Sequence, residues 1–373
     1  MDFIHNNFQL IAHEPNDQNS IPSEALSDIM LDRDGNIWIT TAEGIARWNN
    51  NSENFQLLPY ANYIPASILP TPRDKFDIDA IMENDDDVWM SVSTAGLFVA
   101  SKNNNSLCRH VQIDSGNRIS AMNQLINHIL KDKDGNIWLS TQEGYATYDP
   151  QRDCLVPHFL NRQDVSGNPF YQVMMMFQDN EGTIWIASKK GLGKLIPPSK
   201  NIDWISLPAA HKTGIPFFIG KILAQNDSLL WLITEGGLFS FNKKTEHFVR
   251  FASDNLGKEW SAFDDCVDAL FISDTVMMIT SQFNGLIKFN LQTKSFKTYS
   301  TNDGLSSNNL RNLFADNFGG LWITTLNGLS RLDLRTETFS RYDYTNGIKN
   351  PVFDNTASFY PEKDGNVLLL DGA

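Results

Sequence analysis

One short phrase recurs along the 373-residue chain and constrains the fold more than any other feature. A turn of Asp, Gly and Asn leads into a strand that holds Trp, followed by Thr or Ser and then Gly. Clear copies are DRDGNIWITTAEG (32–44), DKDGNIWLSTQEG (132–144), DNEGTIWIASKKG (179–191) and DNFGGLWITTLNG (316–328), and degraded copies lie at 84–96, 226–237 and 273–285. Such repetition predicts an array of similar structural units.

The spacing of the copies identifies the unit. The strand position held by Trp falls at Trp38, Trp89, Trp138, Trp185, Trp231, Met278 and Trp322, in steps of 51, 49, 47, 46, 47 and 44 residues. A period of about 40–50 residues fits one four-stranded blade of a β-propeller. In each copy, short β-rich runs separated by Gly, Asn and Asp turns predict four antiparallel strands. We therefore expect an all-β chain that forms a β-propeller of four-stranded blades, seven in number, with eight as the alternative.

The predicted organisation is a single β-propeller over residues 1–373. The expected blades cover 22–58, 76–113, 124–158, 171–206, 217–252, 265–300 and 308–343, and 351–373 begins an incomplete eighth repeat. Phe8–Ile11 resembles an outer strand and could pair with that half-repeat. The recurring Trp, which stands between β-branched residues, is expected to pack one sheet on the next. In copies two and six, the spacing predicts a shortened inner turn and an altered loop after the second strand.

Composition and motifs argue against several function classes. A net charge of −14 repels phosphate backbones, so no nucleic-acid partner is expected for this region, and no apolar or polybasic run predicts direct membrane insertion. The N-terminus lacks the pattern of a secretory signal. Cys108, Cys154 and Cys266 fall in different repeats without metal-ligand spacing and are expected to be buried or half-buried thiols. No catalytic motif, cofactor motif or metal site is present, so we predict no catalytic residue, cofactor or metal.

The seventh copy carries a family resemblance most clearly. Residues 303–334, DGLSSNNLRNLFADNFGGLWITTLNGLSRLDL, resemble the two-component regulator propeller repeat. The Gly that usually follows Trp-Ile in this repeat is Thr324 here, and Thr40, Ser140 or Ala187 in other copies. The resemblance implies a periplasmic sensor region of a bacterial hybrid histidine kinase. The chain would then be a fragment of a longer sensor, with the histidine kinase outside it.

The connections from an outer strand to the next inner strand are the expected ligand-binding surface. They are long and varied, and they concentrate Arg, Asn, Tyr, Phe and Trp, which provide the aromatic platforms and polar donors that sugar rings require. An oligosaccharide is therefore the expected ligand. The candidate ligand-binding residues are Tyr63, Arg73, Arg118, Asn123, Arg162, Tyr171, His211 and Trp260.

Two alternatives remain open from the sequence. A propeller enzyme of the streptogramin-lyase type would need a histidine and carboxylate pair, often with a metal, near the axis of the ring. His128 and His211 are the nearest candidates for that role. The other alternative is a docking protein without a small ligand, whose connections bind a neighbouring propeller or a second protomer.

Overall fold

The structure is a computed structural model in which strands account for nearly all regular elements. It describes residues 26–31, 37–41, 44–49, 54–58, 78–92, 96–101, 108–113, 126–160, 172–208, 218–234, 236–252, 256–316, 319–342, 358–361 and 367–370. No helix in these ranges is long and apolar enough to cross a membrane. The chain divides into two compact units, Ala12–Ser206 and a second unit of Met1–Ile11 with Leu207–Ala373, and each is described by itself.

The unit Ala12–Ser206 contains four antiparallel meanders, in which each strand pairs with the next along the chain. The strands of the first two are β1 Leu26–Leu31, β2 Ile37–Thr41, β3 Gly44–Asn49, β4 Asn54–Leu58, β5 Ile78–Asn84, β6 Asp87–Val92, β7 Gly96–Ser101 and β8 Cys108–Ile113. Those of the next two are β9 Ile126–Lys131, β10 Ile137–Thr141, β11 Gly144–Asp149, β12 Cys154–Phe159, β13 Val173–Gln178, β14 Ile184–Ser188, β15 Gly191–Leu195 and β16 Ile202–Ile205.

The outer strands of two meanders in this unit also pair with each other. β8 and β12 run parallel, with Cys154 opposite Gln112 and Leu155 opposite Ile113. The two meanders thereby form one eight-stranded sheet in the order β5-β6-β7-β8-β12-β11-β10-β9. The repeat pattern did not predict this pairing, because it specifies the strands within a blade and carries no signal for contacts between outer edges.

The second unit contains three further meanders, a hairpin and a short 3-10 helix, Lys258–Phe263. The meanders consist of β17 Ile219–Asn226, β18 Leu229–Thr234, β19 Gly237–Asn242, β20 His247–Phe251, β21 Cys266–Ser273, β22 Val276–Ser281, β23 Gly285–Asn290, β24 Phe296–Tyr299, β25 Leu310–Ala315, β26 Gly320–Thr325, β27 Gly328–Asp333 and β28 Thr338–Tyr342. The hairpin consists of β29 Ser358–Pro361 and β30 Val367–Leu370.

The meanders lie on the repeats that the sequence predicts, and the prediction of an all-β propeller fold with four-stranded blades is confirmed. The number of blades and the single-ring organisation stay predictions. Phe8–Ile11 lies outside the described residues. Of the segment 351–373, the structure describes the two strands of the hairpin.

A β-bulge near the start of the inner strand recurs in every meander. The register shifts between Ile219 and Lys221 in β17 and between Cys266 and Asp268 in β21, for example. In the sixth copy the spacing of apolar residues predicts Val267 and Leu270 as the buried pair of the inner strand, but the buried residues are Cys266 and Ala269. The bulge lets residues three apart face the same neighbouring sheet, and Cys266 and Ala269 lie as far before the Trp position as Ile219 and Ile222 do in β17.

The inner turns occur in two forms. Two-residue turns join the first two strands in copies two and six, as predicted, at Asp85–Asp86 and Asp274–Thr275. Copy five has the same form at Asp227–Ser228, which the sequence interpretation missed. The longer turns begin with the Asp of the repeated phrase.

In the longer turns, this Asp binds both the turn and the buried Trp. The Oδ1 atom of Asp179 accepts the backbone N–H of Thr183 at 3.0 Å, and its Oδ2 atom accepts the indole N–H of Trp185 at 2.8 Å. Asp179 and Trp185 are only 3% and 2% exposed. The indole pair recurs at 2.8 Å in Asp132–Trp138 and at 3.0 Å in Asp316–Trp322. The prediction that Trp packs in the core is confirmed for these copies.

A hydroxyl two residues after the Trp position links neighbouring inner strands. The Thr280 Oγ1 donates to the carbonyl of Arg311 in the next meander at 2.7 Å and accepts the N–H of Asp268 at 2.9 Å. Ser91 and Ser140 donate in the same way to the carbonyls of Ile126 and Met174. These bonds provide a structural reason for Ser or Thr where the family repeat has Gly.

The apolar core lies between successive sheets within each unit. Between the fifth and sixth meanders, Trp231 and Ile233 from one sheet pack with Ala269, Ile279 and Phe289 from the next. Similar clusters separate the second from the third meander, the third from the fourth, and the sixth from the seventh. The repeated strand pattern therefore produces a series of similar interfaces.

We predict that Asp179→Ala lowers the free energy of unfolding by about 2–4 kcal/mol, because it leaves the Trp185 N–H and the turn amides unpaired in a buried site. The urea midpoint of unfolding is the measurement. Asp203→Ala is the matched control, since Asp203 is exposed on β16 of the same sheet and should change stability by less than about 0.5 kcal/mol. Equal losses in the two variants would contradict a specific role for the Asp–Trp bond.

A second prediction concerns the link between inner strands. Thr280→Val keeps the side-chain shape but removes the hydroxyl. It should therefore lower the free energy of unfolding by about 1–3 kcal/mol and increase the rate of amide hydrogen exchange at Asp268. Hydrogen exchange measured by mass spectrometry or NMR provides the readout. Unchanged protection of this amide would show that the hydroxyl does not hold the inner strands together.

Candidate functional site

Trp260 is the only candidate ligand-binding residue within the part of the chain that the structure describes. Tyr63, Arg73, Arg118, Asn123, Arg162, Tyr171 and His211 lie outside the described residues. The site is therefore built from the connections of the second unit that the structure does describe. These are residues 256–265, which lead into β21, and residues 300–309, which lead into β25.

Trp260 anchors the first of these connections to the core. It belongs to the 3-10 helix, and its ring centroid lies 4.9 Å from that of Phe296, 5.1 Å from that of Phe263 and 5.7 Å from that of Phe251. This packing accounts for the position of the indole and leaves its side chain half-buried. Contact between Trp260 and a sugar stays a prediction.

The second connection is held by its own polar side chains. The Asp303 Oδ2 atom accepts the backbone N–H of Ser300 at 2.8 Å, and the Asn308 Oδ1 atom accepts the N–H of Thr301 at 2.8 Å. The hydrogen bonds from Ser300 hold the pKa of Asp303 below its usual value. Arg341 of β28 also donates to the carbonyl of Gly304 at 2.7 Å. This connection is thus fixed at several points along its length.

A three-residue turn between β22 and β23 is tied to both connections. We call residues Gln282, Phe283 and Asn284 the Phe283 turn. The N–H of Gln282 donates to the carbonyl of Asp265 at 2.9 Å, and the Asn284 amide donates to the carbonyl of Ser261 at 3.3 Å. On the other side, the N–H of Gly285 donates to the carbonyl of Asn308 at 3.0 Å.

Phe283 is the most exposed large hydrophobic residue in the described part of the chain, at 60%. The corresponding turns are two residues long in other copies, 142–143, 189–190 and 326–327, so the sixth copy has one residue more. The sequence did predict an altered loop at this place, and that prediction is confirmed. The aromatic residue itself was missed, although a Phe within an otherwise polar turn is a usable signal of an exposed ring.

The surroundings of the Phe283 turn are acidic and polar. Asp264 and Asp265 end the first connection, and burial together with the neighbouring Asp264 raises the pKa of Asp265. The next residue, Cys266, is a buried free thiol whose pKa is raised by the same burial, and its Sγ atom contacts the carbonyl of Phe263 at 3.1 Å. The buried thiols expected at Cys154 and Cys266 are thus observed, whereas the side chain of Cys108 lies outside the described set.

The inner strands of this unit carry a separate polar group of residues. The Lys221 ammonium lies 2.5 Å from the Oδ1 atom of Asp268, and the Oδ2 atom of Asp268 accepts the N–H of Leu313 at 3.1 Å. Through these two contacts, Asp268 links the inner strands β17, β21 and β25. Its role in the described structure is to connect neighbouring sheets.

His128 does not form the pair that a lyase-type site would need in the described structure. It lies on the inner strand β9, its Nδ1 atom is buried without a hydrogen-bond partner, and no carboxylate among the described residues bonds to it. Burial lowers the pKa of His128 to about 4. His211, the other candidate, lies outside the described residues.

Metal ligands are likewise not grouped in the described part of the chain, where no cluster of three His, Cys, Asp or Glu residues could hold an ion. The inner turn 132–136 is an example of how these carboxylates are used. Both oxygens of Asp132 already accept hydrogen bonds, Oδ1 from the N–H groups of Asp134 and Asn136 and Oδ2 from the side chains of Asn136 and Trp138. This carboxylate therefore serves the turn and the core.

We predict that stability falls as the pH drops from about 6.5 towards 4, partly through His128. The folded state holds this pKa below the value of the unfolded chain, so between these pH values the unfolded chain binds a proton that the folded chain does not. At pH 4 this site alone amounts to ~3 kcal/mol in favour of unfolding. His128→Gln should flatten the pH dependence of the urea midpoint, and His247→Gln, at an exposed histidine, is the control for the substitution itself. An unaltered slope in His128→Gln would contradict the assignment.

The comparisons with known proteins agree with this fold. The family model described as "Two component regulator propeller" matches residues 20–43 and 120–143. Comparison with curated proteins finds no match. The extracellular domain of a putative hybrid two-component system from B. thetaiotaomicron is 18% identical, with a TM-score of 0.44 over 94% of this chain and 53% of that one. The chain thus spans about half the length of that domain.

Two solved structures that are more similar in shape support the propeller fold. Virginiamycin B lyase from Staphylococcus aureus gives a TM-score of 0.53 at 14% identity, over 81% of this chain and 92% of the lyase. The computationally designed Ika8 protein gives 0.60 at 12% identity, over 98% of this chain and all of the designed one (100%). At these identities the likeness concerns the fold. The resemblance to the two-component regulator propeller repeat, stated from the sequence, is confirmed by the family match at 20–43 and 120–143.

Proposed function

We propose that this chain is a ligand-sensing, extracytoplasmic part of a two-component regulator and that it recognises a carbohydrate. The observation that carries this proposal is the match of two segments, 20–43 and 120–143, to the regulator propeller repeat. Repeats of this kind build sensor regions, so a binding role accounts for the chain better than catalysis does.

The difference between the two ends of the meanders supports the location of the binding surface. At one end, inner turns of similar sequence are fixed by the Asp–Trp bonds, as in Asp132–Trp138 and Asp179–Trp185. At the other end, the connections into the inner strands vary in length and sequence. Variable loops held on a rigid scaffold are where proteins place recognition residues.

Signalling by this chain would require its neighbours in the whole protein. We propose that ligand binding changes the contacts of this region with adjoining modules or with a second protomer, and so biases the pairing of histidine kinase domains. The kinase and the periplasmic location both belong to this proposal. They are supported by the kind of repeat that the family match identifies.

The experiment is a thermal-shift screen of the chain against oligosaccharides of defined composition, followed by chromatography of each ligand after incubation. We expect one class of oligosaccharide to raise the melting temperature by several degrees at saturating concentration and to be recovered unchanged, because a ligand that binds only the folded state stabilises it. Consumption of the ligand would favour the lyase-type enzyme. Absence of any shift, together with self-association in ultracentrifugation, would favour the docking protein and contradict the proposal.

A further inference from the structure

We propose that Phe283 is the stacking platform of a subsite for a neutral sugar ring, bounded by the connections 256–265 and 300–309. This inference rests on the proposed function and names the class of ligand. Its first support is exposure, since the ring of Phe283 is 60% exposed although most large apolar side chains of the described structure are buried. An aromatic face left in water offers a sugar ring an apolar surface to cover.

The second support is that the turn is held in place on both sides. Gln282 and Asn284 bind the carbonyls of Asp265 and Ser261 in the first connection, and Gly285 binds that of Asn308 in the second. Gly285 has a φ of 77°, and a Cβ atom there would collide with the carbonyl oxygen of Tyr299. The backbone conformation directly after the Phe283 turn therefore requires glycine. A fixed platform avoids much of the entropy that a flexible loop would lose on binding.

The third support is the chemistry beside the ring. The turn supplies the amide side chains of Gln282 and Asn284, and the connection next to it ends in Asp264 and Asp265. Amides and carboxylates can accept hydrogen bonds from sugar hydroxyls. The two carboxylates also repel the negative charge of uronic or sulfated sugars. The net charge of the chain, −14, adds to this repulsion. A neutral oligosaccharide fits this surface better than an acidic one.

The surroundings favour a small ligand over a protein partner. Of the other exposed large hydrophobic residues that the structure describes, Ile196 follows β15 and Val249 lies on the outer strand β20, while only Leu256 belongs to a bounding connection. A stable protein interface generally buries at least about 1,000 Å² with an apolar centre. One ring among polar groups is closer in size and composition to a sugar subsite.

The test compares Phe283→Ala with Phe283→Tyr and with Val249→Ala, which removes an exposed apolar residue from an outer strand. The probes are maltohexaose, cellohexaose, xylohexaose and mannohexaose as neutral sugars, and hexagalacturonate and a chondroitin hexasaccharide as acidic ones. Affinity is measured by isothermal titration calorimetry. We expect a neutral probe to bind at least 10-fold more weakly to Phe283→Ala, and with nearly unchanged affinity to the other two variants. Circular dichroism and melting temperature verify that each variant folds.

The possible results separate this inference from the proposed function. If a neutral sugar binds equally well to the parent chain and Phe283→Ala, the platform is wrong but carbohydrate sensing stands. If only acidic probes bind, the ligand class is wrong. If no probe binds, both proposals are overturned.

Discussion

The structure depends on a buried hydrogen bond between an indole and a carboxylate six residues before it. A Trp ring between two sheets is best stabilised when its N–H finds a partner, since an unpaired buried donor is costly. Trp89 is an exception, because its Nε1 atom is buried without a hydrogen-bond partner. In the phrase DNEGTIW, Asp179 provides that partner while its other oxygen closes the turn. Where the turn is two residues long, other solutions appear: Gln225 accepts the N–H of Trp231 at 2.9 Å, and Met278 replaces the indole altogether.

The sequence predicted the strands well because every meander repeats the same local rules. Period-2 alternation and turn residues located the four strands of each copy, and the Trp spacing identified the unit. The errors occurred where tertiary contacts override alternation. In β21 the structure buries Cys266 and Ala269 instead of the larger Val267 and Leu270, and the outer strands β8 and β12 paired in a way that no local pattern encodes.

The candidate site was predicted less completely than the fold. Loop composition selected the connections between meanders as the binding surface, which stays a prediction. Of the residues it selected, the structure describes Trp260, in the connection that leads into β21. However, composition cannot tell an aromatic residue that anchors a loop from one that presents its face to solvent. Trp260 packs against Phe263 and Phe296, whereas Phe283 lies exposed in a turn between two fixed connections.

The parallel pairing of β8 with β12 affects both the tendency of the first unit to associate through its strand edges and the way it opens locally. Outer strands usually leave a row of free backbone groups, which can recruit a strand from another molecule. Here two such edges cover each other at residues 112–113 and 154–155, so this part of the surface offers less of a template for aggregation. The shared sheet also joins two repeats into one block, which should open and close together while the other repeats exchange independently.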